Sequence, residues 1–198
     1  MSEATIQSLL DECVSYGRFT PEYYQKMMHE VPPAKVVDRH AFIVSKCKGM
    51  KVLNLGSSSG DLHGKLKASC VSVIGVDKDG AADLTIDLDE EPDRLTAAVD
   101  VVVAGEIIEH LSNPGRLLKA LRRMDCWRVI ITVPNAFSEA GRQTMLRSGI
   151  ENVNNDHVAW YSYWTLKTLV ERFGFTVKEF AWYCGKPLTA EGLIFVVE

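Results

Sequence analysis

The chain has 198 residues, 46% of them apolar, and a formal net charge of −4. This length and apolar content suit one globular domain with a full core and leave no room for a second domain. The negative charge gives no reason to expect nucleic acid as a partner. No apolar run is long enough for a membrane span, and the N-terminus lacks the basic start of a secretion signal. We therefore expect a cytoplasmic protein without a membrane partner.

Residues 1–48 are predicted to form a helical N-terminal extension. Apolar residues recur at helical spacing between Ile6 and Val14, and Thr20-Pro21-Glu22 is typical of the start of a helix. A third helix is predicted to begin at Pro32-Pro33, since apolar side chains follow at intervals of three and four residues. The extension either covers a ligand or caps the sheet. Four aromatic side chains suit both roles: Tyr16, Phe19, Tyr23 and Tyr24.

From residue 49 onward, short apolar segments alternate with helical ones, which is typical of a parallel sheet covered by helices on both faces. The sequence therefore predicts an α/β domain. Strands are predicted at residues 51–56, 71–77, 83–86, 100–104, 128–133, 175–183 and 192–197. The last two should form an antiparallel hairpin. The helix predicted at 112–123 carries four basic residues opposite its leucines, and we expect this basic face to be solvated.

The stretch from Val52 to Leu62 predicts a cofactor site. An apolar strand ends there in a turn of small residues, which opens into a helical segment. Gly56 and Gly60 allow positive φ and let a ligand approach the backbone closely. About twenty residues on, a second apolar strand ends in Asp77, where a carboxylate can accept both hydroxyls of a ribose. The pair indicates a nucleoside cofactor without identifying it.

At this point the sequence resembles the class I S-adenosylmethionine-dependent methyltransferases, in particular the small type 11/23-like family. The motifs that carry the resemblance appear in the family's order across residues 50–198: the loop at 54–60, Asp77, Asp87-Leu88, Val103-Ala104-Gly105-Glu106, Glu106-Ile107-Ile108-Glu109-His110-Leu111, Val133-Pro134-Asn135 and Tyr163-Trp164-Thr165-Leu166. The sequence departs from the family at Asn54, where an acid is usual, and at Ser58, where a third glycine is usual.

The resemblance implies a Rossmann-like sheet of seven mostly parallel strands in the order 3-2-1-4-5-7-6, with S-adenosylmethionine as cofactor. Asp87 lies near the adenine in that arrangement, although it could equally cap the next turn. The residues that the resemblance places at the cofactor are Asn54, Gly56, Ser57, Ser58, Gly60, Asp77, Lys78, Asp87, Leu88, Ala104, Gly105 and Glu106.

The run from Glu106 to His110 allows two interpretations. In one, Glu106, Glu109 and His110 share a helical face and bind a divalent metal together with His157, as in the small-RNA 3′-end methyltransferases and some quinone O-methyltransferases that this run resembles. In the other, Glu106 contacts the cofactor while Glu109 and His110 position the loop or act on the acceptor. The run is common in the family without a metal, so the sequence favours the second interpretation. It predicts no metal ligand and makes His110 and His157 the candidate bases.

Residues 134–160 form a long insertion in which polar side chains are mixed with aromatic ones. Such a segment suits the recognition of a polar acceptor, with a plain surface lid as the alternative. We therefore predict O-methylation of a small polar or saccharide-like acceptor. The alternatives are metal-dependent methylation of a nucleic-acid terminal hydroxyl or of a quinone-type acceptor, and a protein that binds the cofactor without catalysis.

Overall fold

The computed structural model describes residues 7–8, 11, 21–57, 60–80 and 82–198, without the side chains of residues 21, 23 and 24. The expectations for the helix around Ile6–Val14, for the aromatic group and for Ser58 lie outside the described residues. The chain divides into two compact units, residues 1–32 and 33–198. In the first unit, helix α1 spans Pro21–Met27 and begins at the predicted proline.

The second unit contains one sheet, which has eight strands in the described part of the chain. Their order across the sheet is β1-β7-β8-β6-β5-β2-β3-β4, with β8 antiparallel to both of its neighbours and the other pairs parallel. The strands are β1 (Val36–Val37), β2 (Lys51–Leu55), β3 (Ser72–Asp77), β4 (Leu84–Thr85), β5 (Val101–Gly105), β6 (Arg128–Pro134), β7 (Val177–Tyr183) and β8 (Gly192–Val197). Seven of them follow the expected order, and β1 extends the sheet beside β7.

The prediction that a helix begins at Pro32-Pro33 is wrong. Helix α2 spans Arg39–Cys47, and Val36 and Val37 lie in a strand paired with Trp182 and Tyr183. The helix begins where Asp38 accepts a hydrogen bond of 2.7 Å from the amide of Ala41, which is N-terminal capping by a side chain. Adjacent valines favour extended backbone, so their helical spacing gave a misleading signal.

The described residues form four further helices, α3 (Asp61–Lys67), α4 (Pro114–Arg123), α5 (Glu139–Ser148) and α6 (Tyr163–Arg172), and all of these except α5 have buried residues. The basic face of α4 is exposed, as predicted, and its side chains also contact groups within the domain. Arg116 donates to the carbonyls of Asp89 and Glu90. Lys119 and Arg122 lie over the rings of Phe173 and Phe175, and Arg123 pairs with Asp93.

The centre of the sheet is buried on both sides, because the side chains of the valine-rich β5 are covered on both faces of the sheet. Because β2, β3, β5 and β6 are parallel, their carboxyl ends meet at one edge of the sheet. In open α/β sheets this edge is where ligands bind. Among the described residues, none of the helices is long and apolar enough to cross a membrane.

Candidate functional site

The loop after β2 lies against the segment that follows β5. The amides of Gly56 and Ser57 both donate to the carbonyl of Val76, at 2.8 and 3.2 Å, which fixes the loop to β3. Gly56 has φ +69°, and a Cβ there would lie 2.2 Å from Cδ1 of Ile107. A glycine is thus required for two reasons. Gly60 precedes α3 with φ −97°, so the positive φ expected at this second glycine is absent.

Asn54 and Ser57 lie beneath this loop. Asn54 is 3% exposed, and its side-chain nitrogen is 3.3 Å from Nδ1 of His63. Ser57 packs on Gly75, where a Cβ would come within 2.4 Å of the serine Oγ. Burial lowers the pKa of His63, which favours the neutral ring in this contact. Gly56 and Gly60, in contrast, lie at the exposed surface of the loop.

The acidic residues predicted for the nucleoside follow β3 and β4. Asp77 ends β3, is partly exposed, and accepts a hydrogen bond of 3.3 Å from the amide of Asp79. Lys78 is exposed beside it. One oxygen of Asp87 accepts from the amides of Asp89 and Glu90, so this residue does cap the next turn. Leu88 is buried.

Ala104 and Gly105 end β5, and Glu106 then turns the chain with a positive φ of 55°. Its carboxylate oxygen Oε1 accepts hydrogen bonds from Oγ1 of Thr132 at 2.7 Å and from the hydroxyl of Tyr183 at 2.8 Å. Arg39 lies 3.3 Å from the same oxygen. The carboxylate is therefore held toward β6 and β7.

The positive φ of Glu106 also breaks the expected helical face. Only Ile108–His110 form a short 3₁₀ turn, so Glu106, Glu109 and His110 do not lie on one helical face as predicted. Glu109 and His110 instead meet His157, and one ligand atom from each of these three residues lies within 4.8 Å of the others. The rings of His110 and His157 are edge to face, with centroids 4.6 Å apart.

The carboxylate of Glu109 is the most unusual group in this cluster. The side chain is fully buried, and neither oxygen has a hydrogen-bond partner in the part of the chain that the structure describes. Burial, and after it the charge of Glu106, raises the pKa of Glu109 to about 8. Nδ1 of His157 is likewise buried without a partner, and burial followed by the proximity of His110 lowers the pKa of His157.

The three side chains fit a divalent cation. A buried carboxylate without hydrogen bonds is costly when ionised, and a coordinated cation removes that cost. One carboxylate and two imidazoles form a ligand set that suits Mn²⁺, Fe²⁺ or Zn²⁺.

A cavity of about 1050 Å³ lies on the other side of Trp160 from this cluster, and Glu109, His110 and His157 are not among the residues that line it. It is lined by Glu106 and by residues of the insertion, among them Phe137, Arg142, Met145 and Trp160. The ring of Trp160 lies 6.1 Å from that of His157.

The insertion that lines the cavity leaves and rejoins the sheet at adjacent points. Asn135 and Tyr161 form an isolated parallel bridge, and the amide of Ala136 donates to the carbonyl of Tyr161 at 2.8 Å. The side chain of Asn135 donates to the carbonyls of Leu188 and Ala190, at 3.0 and 2.8 Å. Both ends of the insertion are thus fixed beside β8.

A family model described as a methyltransferase domain matches residues 23–179, most of the chain. The chain belongs to this methyltransferase family. Among proteins of curated function, none matches its sequence significantly. The family match and the fold agree in identifying a class I, S-adenosylmethionine-dependent methyltransferase, as the sequence motifs predicted.

Solved methyltransferases share the fold at low sequence identity. The small RNA methyltransferase HEN1 is 18% identical with a TM-score of 0.65, and the alignment covers 86% of this chain and 27% of that one. This methyltransferase thus spans about a quarter of the HEN1 chain. An S-adenosylmethionine-dependent methyltransferase from Archaeoglobus fulgidus is 15% identical, with a TM-score of 0.59 and coverage of 80% and 93%. Magnesium protoporphyrin IX methyltransferase from Synechocystis, solved with bound S-adenosylhomocysteine, is 14% identical, with a TM-score of 0.56 and coverage of 80% and 78%.

Sequence reasoning missed three residues of the methyltransferase site: Arg39, Thr132 and Tyr183. All three contact the carboxylate of Glu106. Thr132 carries a weak signal, because it is the one polar residue in the apolar run from Val129 to Pro134. Tyr183 lies 77 residues from Glu106 along the chain, and no local motif connects the two.

Proposed function

We propose that this methyltransferase transfers the methyl group of S-adenosylmethionine to a hydroxyl of a small acceptor, and that Glu109, His110 and His157 hold a divalent cation beside it. The observation that carries this proposal is the buried carboxylate of Glu109, which has no hydrogen-bond partner among the described residues and faces two imidazoles. The sequence favoured a metal-free base because the run is common in the family without a metal, and the sequence alone does not reveal that this carboxylate is buried.

The residues of the protein have distinct tasks in this proposal. Gly56 and Asp77 lie at the carboxyl edge of the sheet. The main chain at Gly56 would lie against the cofactor, and the carboxylate of Asp77 would bind its ribose. The cofactor's methyl group is already activated, so the protein chiefly aligns the acceptor with it and removes the hydroxyl proton. When bound, a divalent cation would lower the pKa of the acceptor hydroxyl. Glu106, held by Tyr183 and Thr132, forms the wall between cofactor and acceptor.

The nature of the cavity supports a small acceptor over a polyanion. Four carboxylates line it, those of Asp38, Glu106, Glu151 and Glu191, against two guanidinium groups, those of Arg39 and Arg142. This balance of −2 repels a chain of phosphates. HEN1 is a small RNA methyltransferase, and a nucleic-acid terminal hydroxyl therefore remains the second candidate acceptor, which short RNA tests directly.

Calorimetric titration with Mn²⁺ and Mg²⁺ tests the metal. We expect one ion per chain in the wild-type protein and binding at least tenfold weaker in His157→Ala, because a ligand is lost. His29→Ala, at an exposed histidine of the first unit, should bind like the wild type. If no ion binds and chelators do not affect turnover, the proposed metal site is wrong and a histidine base is favoured.

A screen with labelled S-adenosylmethionine tests turnover. We expect methylated product from a library of small hydroxyl compounds and none from short RNA. Tight binding of S-adenosylhomocysteine without turnover of any library member would instead support a cofactor-binding protein without catalysis.

A further inference from the structure

The insertion exposes an unusual concentration of large apolar side chains. Six of them are more than 40% exposed within 24 residues of chain: Phe137, Met145, Leu146, Ile150, Val158 and Trp160. Helix α5, which lies in this segment, has no buried residue. Ordinary surface helices bury one face, so a segment with this composition offers an apolar surface to something outside the domain.

Part of this apolar surface faces the cavity. Phe137, Met145 and Trp160 all line it, and Trp160 is the neighbour of His157 in the proposed metal cluster. Two aromatic rings and a flexible thioether suit a flat apolar body. Saccharide recognition, in contrast, needs a dense set of hydrogen-bonding groups around each hydroxyl.

The cations of the cavity differ in their surroundings. Arg39 is engaged by Glu106 at 3.3 Å and lies over the ring of Tyr183. No carboxylate of the described residues lies within 4.0 Å of Arg142, so no ion pair neutralises it. Its guanidinium group presents several donors in a plane that matches a carboxylate.

We propose that the acceptor is an aromatic hydroxy acid, and that Arg142 is the residue that selects it by binding its carboxylate. The ring packs on Phe137, Met145 and Trp160, and the hydroxyl end reaches the cluster at His157. This inference rests on the proposed hydroxyl methylation and names its substrate class. It replaces the saccharide-like acceptor that the sequence suggested. The acidic balance of the cavity admits one anionic group at Arg142 and disfavours several.

The experiment compares three probes that share one ring and differ in one substituent: 3,4-dihydroxybenzoate, the uncharged 3,4-dihydroxybenzamide and the cationic 3,4-dihydroxybenzylamine. Binding to the protein loaded with S-adenosylhomocysteine is measured by calorimetry, and turnover is measured separately. Arg142→Gln should weaken binding of the benzoate roughly tenfold or more and leave the benzamide unchanged, because only the benzoate loses a charge-assisted hydrogen bond. KM for the benzoate should rise by the same factor with little change in kcat.

Arg147→Gln is the matched control, since Arg147 lies on the same helix but does not line the cavity. It should behave like the wild type with all three probes. Equal loss of the benzoate and the benzamide in Arg142→Gln, a preference for the benzylamine, or no binding of any probe would overturn the inference. Binding selectivity at Arg142 without turnover would keep the inference as a binding site and contradict the proposed methylation instead.

Discussion

The amide of Val158 donates a hydrogen bond of 2.8 Å to the main-chain carbonyl of Glu109. The amide of Ala159 reaches the same carbonyl at 3.2 Å. These two bonds join the turn after β5 to the far end of the insertion, and they place the ring of His157 against that of His110. The cluster is therefore assembled by the main chain, and its geometry depends on the backbone of a segment that has little packing of its own.

Val158→Pro should consequently weaken divalent-cation binding by tenfold or more while cofactor binding is retained. Proline removes the donating amide and restricts the backbone of His157, so the imidazole is displaced from the other two ligands. Val158→Ala is the control, because it keeps the amide and changes only an exposed side chain. Calorimetric titration with Mn²⁺ and with S-adenosylhomocysteine measures both affinities. Unchanged cation affinity in Val158→Pro would show that the bond does not hold the cluster.

Cation affinity should rise with pH between about 6 and 8 and then level off. Glu109, whose pKa burial raises to about 8, holds a proton below that pH and must release it to bind a cation, so affinity should increase about tenfold per pH unit. Burial lowers the pKa of His157, which favours the neutral ring that can bind a cation. Titrations in buffers of different ionisation enthalpy should detect release of close to one proton per ion at pH 7. A flat affinity profile from pH 6 to 8 would contradict a protonated buried acid.

Asp77→Ala should bind S-adenosylhomocysteine at least thirtyfold more weakly than the wild type. A carboxylate that accepts two ribose hydroxyls contributes roughly 2–3 kcal/mol. Asp125→Ala provides the comparison, since Asp125 is exposed and precedes β6 at the opposite edge of the sheet. If Asp77→Ala binds as tightly as the control, the ribose does not lie at the end of β3.

Gly56→Ala should destabilise the fold and abolish cofactor binding. Comparison with Gly49→Ala separates the effect of backbone strain from that of the collision with Ile107. Both glycines have φ near +70°, but a Cβ at Gly49 meets no atom within 4 Å, whereas a Cβ at Gly56 collides with Ile107. Gly49→Ala should therefore cost only the backbone strain, about 1 kcal/mol, and bind cofactor normally.

Thermal unfolding and calorimetry measure the two effects. The double variant Gly56→Ala/Ile107→Ala should recover the part of the stability lost to the collision. Equal stability of the two single variants would indicate that Ile107 moves aside at no cost.

The positions of most strands were predictable because each strand carries its own signal, and their order followed from the resemblance to a family of known fold. Continuous apolar runs bounded by small or polar residues marked β2, β3, β5 and β6, and the family motifs set their order. The short edge strand β1 was not predictable, because Val36 and Val37 become a strand only by pairing with residues of β7 that lie 146 positions further along the chain. A two-residue strand has no periodicity of its own.

The site was predictable in its composition and not in its geometry. His110, His157 and Glu109 could be selected from their residue types. That Glu106 turns away from them depends on a positive φ, which is rare outside glycine, and on hydrogen bonds from Thr132 and Tyr183. Long-range contacts of this kind leave no trace in local spacing.

The bridge between Asn135 and Tyr161 has a consequence for how such an enzyme changes its substrate. Because these two residues close the insertion at its base, the sheet does not depend on the length or sequence of what lies between them, and the entropy of closing a longer loop increases slowly. The part from Ala136 to Val153 can therefore be replaced as a unit, whereas His157 and the amides of Val158 and Ala159 belong to the cluster at Glu109. Replacing that part can change which compound is methylated, while the cluster and the strands that carry the cofactor site are kept.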